Sequence, residues 1–404
     1  MSTIAVLGTL DSKGHEHAFV ADIIRSRGHT PLLIDAGCLE APQVVPDIER
    51  TEICPDIAGM PEDRGQRVAA MAEALPHFIA GLAASGRIQG IISLGGGGGT
   101  AIATSAMRAL PVGFPKVMVS TLASGNTAPY VGTKDVMMIP AIVDVAGLNR
   151  ISRRIFTNAA GAVCGMVEVA GGSGESTEAA KPLVVASMFG NTTACVNEAK
   201  RLVEEEGYEV LVFHSTGTGG RIMESLIESG MVAGVLDITT TEWADEYVGG
   251  ILGAGKTRMD AAARAGVPSI IAPGCLDMVN FGEPATVPDK FAGRTFYHHN
   301  PQVTLMRTNA EECAALGKII AEKANACTGP VTVLLPLKGI SIISAEGQPF
   351  HDPAADRALF DSIREHLKPG VPLVEMDCTI NDPQFSIACA RKLLGEMACQ
   401  GRNA

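Results

Sequence analysis

The segment Ile88–Met107, IQGIISLGGGGGTAIATSAM, joins a short apolar run to five consecutive glycines, Gly95, Gly96, Gly97, Gly98 and Gly99, and then to a run of small residues. Ile91–Leu94 reads as a strand that is apolar almost throughout, as strands covered on both faces of a parallel sheet are. Glycines leave backbone N–H groups bare, and the end of the helix that follows, Ala101–Met107, adds partial positive charge. The segment therefore predicts a strand–turn–helix unit whose turn holds an anion. Thr100 stands where it can cap the helix or donate to a phosphate oxygen. Each glycine costs about 0.5–1 kcal/mol of backbone entropy, so five together argue for a ligand rather than a slack loop.

The same unit recurs along the chain. Ile4–Leu7 leads into a Gly-Thr turn, a helix from about His15 to Ser26 closed by Gly28, and a strand Pro31–Ile34 ending at Asp35. Leu183–Ser187 leads into a turn at Gly190, a helix from about Ala194 to Glu206 closed by Gly207, and a strand Val210–Phe213 ending at His214. Glycines stand where helix C-caps belong. Ile88–Thr100 parallels Val232–Ala244, and Lys116–Gly125 parallels Ser269–Met278. The tail offers a strand Val331–Leu335, a helix near Ala354–Leu367, a strand Leu373–Glu375 and a last helix near Pro383–Met397. Between the halves lies GGSGESTEAAKP, small, polar and Gly/Ser-rich like a linker. The expected fold is α/β: two doubly wound, Rossmann-like, open parallel-sheet domains from a diverged internal duplication, residues 1–170 and 183–404, with the linker at 171–182.

In such sheets ligands bind beyond the carboxyl ends of the strands. Three loops of the first domain are expected to converge there: Thr9 to Lys13, the glycine run, and Ser124, Gly125, Asn126 and Thr127. Lys13 is a candidate phosphate partner, and Asp11 a candidate for Mg²⁺ or a ribose hydroxyl. In the second domain Thr239, Thr240, Thr241 and Glu242 replace the glycines, which predicts a pocket for a polar or cationic ligand or a metal. Nearby candidates are His299 as general base and Arg307 or Lys338 as carboxylate clamp, at a cleft between the domains. A Walker-type string, Gly250 to Lys256 and Thr257, follows the charged segment Glu242–Val248 rather than a buried strand. Without that strand it reads as a turn between helical segments.

Composition removes other classes. The 404 residues carry a net charge of −12 and no basic cluster of the kind nucleic acid requires. The 10 cysteines form no C-x-x-C pair, which argues against a zinc ribbon and for a reducing compartment. The N-terminus enters a strand at once, unlike a signal peptide, and no apolar run of about 18 residues occurs. A cytoplasmic protein without membrane contact is expected.

The strings GTLDSKG, SLGGGGGT, DMVNFG, HNPQVTLMRTNAEE, LLPLKGIS, PFHDPAADRALF and IND occur along almost the whole chain. With them it resembles the UPF0261 family, the Tm-1-like ATP-binding domain proteins, bacterial counterparts of the N-terminal portion of a tomato virus-resistance protein. The resemblance implies ATP binding, a two-domain α/β fold, and homodimers or larger homo-oligomers. Family members do not generally carry the Walker lysine found here as Lys256. Three kinds of function fit these residues: an ATP-binding protein with a small-molecule site, a metabolic ligase, kinase or hydrolase acting on a small carboxylate or sugar acid, and a non-enzymatic nucleotide-controlled regulator.

Overall fold

Strand-forming runs that are apolar on both faces produce two parallel sheets in the computed structural model, which describes residues 1–61, 63–172 and 181–400. Most of the expected linker, residues 173–180, lies outside the described residues. The chain divides into two compact units, Met1–Ala179 and Ala180–Ala404.

The first unit contains β1 (Thr3–Gly8), β2 (Thr30–Asp35), β3 (Gly90–Gly95), β4 (Lys116–Ser120) and β5 (Met137–Pro140), all parallel, in the order β2-β1-β3-β4-β5. Alternate side chains leave β1 on opposite faces. Ala5 and Leu7 join one core with Met71, Leu75 and Met107, from the helices Arg64–Ala84 and Gly97–Arg108. Ile4 and Val6 join the other with Val20, Phe156 and Val163, from the helices Leu10–Ser26 and Arg150–Gly172. Both faces are thus covered, which is why the strands carry so few polar residues. Among the described helices Arg150–Gly172 alone is long and apolar enough to cross a membrane. Here its Phe156, Ala160 and Val163 are buried against the sheet.

The second unit contains β6 (Leu183–Met188), β7 (Glu209–His214), β8 (Val232–Thr239), β9 (Ser269–Gly274), β10 (Met278–Phe281), β11 (Phe296–Asn300), β12 (Val303–Arg307), β13 (Val331–Pro336) and β14 (Leu373–Met376). Six form a parallel sheet, β14-β13-β9-β8-β6-β7. Its first four strands in sequence repeat the 2-1-3-4 order of the first sheet, and the α/β, doubly wound, Rossmann-like fold is the one expected.

Two departures are physical. The first helix starts at Leu10 rather than His15, with a kink at Lys13 where φ is −135°. The imidazole of His17 bonds the Lys13 carbonyl at 2.7 Å and so holds that turn. The other departure is a three-stranded antiparallel sheet, β10-β12-β11, inserted after β9. It spans Met278 to Arg307, where the sequence had offered no strands.

Candidate functional site

In the first sheet the winding reverses between β1 and β3, and the loops after these strands part to leave a crevice. A cavity of about 330 Å³ lies there, lined by Thr9, Asp11, Ser12 and Lys13 on one side and Gly96, Gly97, Gly98 and Gly99 on the other. Gly96 is the N-cap of the helix Gly97–Arg108, in extended backbone, and no side chain caps this end. Thr100 is the first residue whose amide reaches a helical carbonyl, that of Gly96 at 2.8 Å. The amides of Gly97, Gly98 and Gly99 therefore lack an acceptor within the helix. A Cβ built on Gly96, Gly97 or Gly99 would meet nothing nearer than 3.8 Å. Packing does not demand glycine at these three positions. Gly95 is different: its Cβ would lie 3.0 Å from the backbone of Gly99.

Several expected roles change. Thr100 is fully buried, and its hydroxyl lies 2.7 Å from that of Ser120, so it neither caps the helix nor faces a ligand. The helix starts four residues earlier than expected, at Gly97, which turns Thr100 inward. Asp11 accepts the amides of Cys38 and Leu39 through one oxygen, at 3.0 and 3.1 Å. Through that oxygen it shapes the loop after β2, while the residue also lines the cavity. Lys13 is half-buried, lines the cavity, and makes no ion pair among the described residues. Ser124, Gly125, Asn126 and Thr127 do not line this cavity. Tight turns after β4 redirect them: Gly125 bonds back to Leu122, Asn126 caps Ala128, and Thr127 begins the short helix Ala128–Val131. Ser124 lines a separate cavity with Thr121 and Asp144.

One residue behind the site was not legible beforehand. His17 is fully buried, and its Nε2 accepts the amide of Leu94 at 3.3 Å while Nδ1 donates to Lys13. Burial pushes its pKa below the ordinary histidine value. The neutral ring ties β3 to the kinked first turn and sits where a Cβ on Gly8 would be 2.1 Å from it. The spacing of His17 four residues after Lys13, one helical turn on, is the signal that was available. Beside the first cavity is another of about 410 Å³, and the two share Cys38, Leu39 and Glu40. Asp35 and Arg50 line it, paired at 2.7 Å. Asp35 also accepts the amides of Leu10 and Gly37, so its carboxylate is fully engaged.

The corresponding crevice of the second domain, between β6 and β8, is filled. The hydroxyls of Thr192 and Thr239 meet at 2.7 Å, and Thr240 donates to the Ala272 carbonyl. Glu242 is buried and accepts the amides of Gly217 and Gly220 and Nε of Arg258. Arg258, 1% exposed, also bonds Asp237 through two nitrogens at 2.7 and 2.6 Å, and Glu224 at 3.1 Å. Thr239, Thr240, Thr241 and Glu242 thus form packed structure rather than an open polar pocket, because Arg258 satisfies the carboxylate. The Walker-type string is the loop between the helices Glu242–Val248 and Asp260–Ala265, with no strand before it.

His299, Arg307 and Lys338 are not brought together as a catalytic group. His299 is exposed on β11, which among the described residues pairs with β12 alone. Arg307 is buried and paired with Asp356. Lys338 is exposed, follows β13 and pairs with Asp377 at 2.8 Å. Among the described residues no three His, Cys, Asp or Glu are grouped to hold a metal.

Residues 2–171 match the profile described as uncharacterised protein family (UPF0261) N-terminal domain, and residues 181–397 match its C-terminal domain. A UPF0261 protein of Clostridium tetani is 49% identical and covers 98% of both chains. The tomato protein described as ToMV susceptible protein tm-1(GCR26) is 38% identical over 98% of this chain, which spans 54% of the tomato protein. A solved UDP-N-acetylglucosamine 2-epimerase from Rickettsia bellii aligns with 66% of this chain and 78% of its own, at 13% identity and a TM-score of 0.23, a likeness too slight to argue from. Two profiles spanning nearly the whole chain and close full-length relatives lead to one conclusion: the chain belongs to the UPF0261 family.

Proposed function

We propose that the first domain binds a nucleoside polyphosphate, ATP foremost, with its phosphates at the glycine helix end. The observation that carries this reading is the uncapped end itself: three amides without helical acceptors, glycines that packing does not demand, and the half-buried Lys13 in one crevice. Bare amides, helix dipole and an ammonium group together suit a multiply charged phosphate. The adjoining cavity past Leu39 is the place for the nucleoside. Asp35, at the end of β2 where dinucleotide folds put a ribose-binding acid, is already engaged. Glu40, which borders both cavities, is the candidate for the ribose hydroxyls. Asp11 is committed to two amides, so Mg²⁺ in this reading comes with the nucleotide, held by phosphate oxygens and water.

The test is calorimetry of the full chain with ATP and Mg²⁺. Gly97→Asp puts a carboxylate among the amides and removes at least two charge-assisted hydrogen bonds, about 1.5–3 kcal/mol each. Affinity is expected to fall by about a hundredfold or more. Absence of binding by the wild type, or equal affinity in the variant, overturns the reading.

A further inference from the structure

The second domain has a cavity of about 670 Å³ that none of the roles above uses. It lies past the carboxyl ends of β13 and β14, where Lys338 and Thr379 leave the sheet, and against the helix Pro353–His366. With the crevice between β6 and β8 packed, this cavity offers a ligand room on the carboxyl edge of the second sheet.

The charges around it sort into paired and unpaired. Arg364 bonds Asp361 and Glu375, and Lys338 bonds Asp377. Asp356 gives one oxygen to Arg307, which is held in turn by the carbonyl of Phe350 at 2.9 Å. The side chains of Arg357 and Glu346 line the same cavity and make no hydrogen bond or ion pair among the described residues. His351 has only a 3.4 Å contact, from Nδ1 to the Ser344 carbonyl. One guanidinium, one carboxylate and one imidazole are therefore free for a ligand, above an apolar floor that includes Leu337 and Phe360.

This chemistry differs from that of the glycine crevice. The helix Pro353–His366 is capped by Asp352, which accepts the amides of Ala354 and Ala355 at 3.1 and 3.0 Å. No bare helix end greets a phosphate here, and a dianion would face Glu346 and Asp356 with a single unpaired guanidinium. A monoanionic carboxylate matches Arg357, which can hold it through two parallel bonds. Glu346 and Asp356 can only accept while ionised, so they match a hydroxyl or ammonium group on the same molecule.

We propose that this cavity binds a small carboxylic acid bearing a hydroxyl or amino group, with Arg357 on the carboxylate and Glu346 on the donor. Arg307 acts behind the wall as a positioning residue that fixes Asp356. The proposal stands independently of nucleotide binding in the first domain.

The test uses ligand-observed NMR titration of the full chain with L-lactate, L-glutamate and D-gluconate, and with inorganic phosphate for comparison. At least one of the three acids is expected to bind saturably, and phosphate to bind more weakly. Arg357→Ala is expected to weaken that acid by about tenfold or more, as loss of a charge-assisted pair does. Glu346→Gln is expected to weaken it too, whereas Gly97→Asp in the first domain leaves it unchanged. Arg357 and Glu346 are exposed, so the variants fold, which circular dichroism checks. The proposal is overturned if none of the three acids saturates, if phosphate binds more tightly than all of them, or if Arg357→Ala binds as the wild type does.

Discussion

Replacing Arg258 with methionine removes the guanidinium that pairs with three carboxylates in a buried group. The guanidinium serves Asp237, Glu242 and Glu224, which are 4%, 0% and 12% exposed in their side chains. After Arg258→Met, Glu242 keeps the amides of Gly217 and Gly220, and Glu224 keeps those of Met259 and Ala261. Asp237 keeps only the hydroxyl of Ser187. The loss therefore concentrates on Asp237, and removing one member of a buried ion pair costs about 3–5 kcal/mol. At about 2–4 °C per kcal/mol for a domain of this size, the second domain should melt roughly 6–20 °C lower. Scanning calorimetry at pH 7 reads the shift, and urea titration gives the free energy. Arg258→Lys should lose nearly as much, because one ammonium cannot reproduce the forked contacts to three acids. A loss below about 1 kcal/mol for the methionine variant would refute the reasoning, as would full stability of the lysine variant. Either would mean that the carboxylates are neutralised without Arg258.

Three further outcomes are expected. His17 has a folded pKa below its unfolded value of about 6.5, so the unfolded chain binds the extra proton. Its contribution is fully present above that pH and is lost as pH falls towards the folded value; urea midpoints at pH 7.5 and 5.5 should differ more in the wild type than in His17→Gln. Asp277 is the opposite case: burial raises its pKa to about 6, one oxygen has no partner, and the other accepts from Ser341. Its stabilising effect is greatest below about pH 4 and is lost as pH rises to about 6, a swing of about 3 kcal/mol, so Asp277→Asn should gain on the wild type between pH 4.5 and 7.5 in the same titration. Lys256→Ala should bind ATP as the wild type does in calorimetry, because its loop follows a helix and not a strand.

The strands were legible because a doubly covered parallel sheet needs apolar residues on both faces, as Ile4–Leu7 and Leu183–Ser187 show. The inserted antiparallel sheet was not, because β10 is four residues long and its pairing with β12 is set by chain far from it. The strand, glycine turn and helix at Gly90–Arg108 could be read because their geometry belongs to the backbone. Ser124–Thr127 could not, since reaching the right edge of a sheet says nothing of how the next tight turn steers the chain. Side-chain partnerships were hidden for the same reason. Nothing near Glu242 in the sequence announces that Arg258 will neutralise it, or that Asp356 will engage Arg307.

The open space around three of the glycines has an evolutionary consequence. A side chain at Gly96, Gly97 or Gly99 would meet nothing nearer than 3.8 Å, so selection for folding does not by itself hold these positions. What would hold them is whatever docks against the backbone. A lineage that ceased to use the ligand could accumulate alanine or serine there without losing the domain, and Gly95 would be the last of the run to drift.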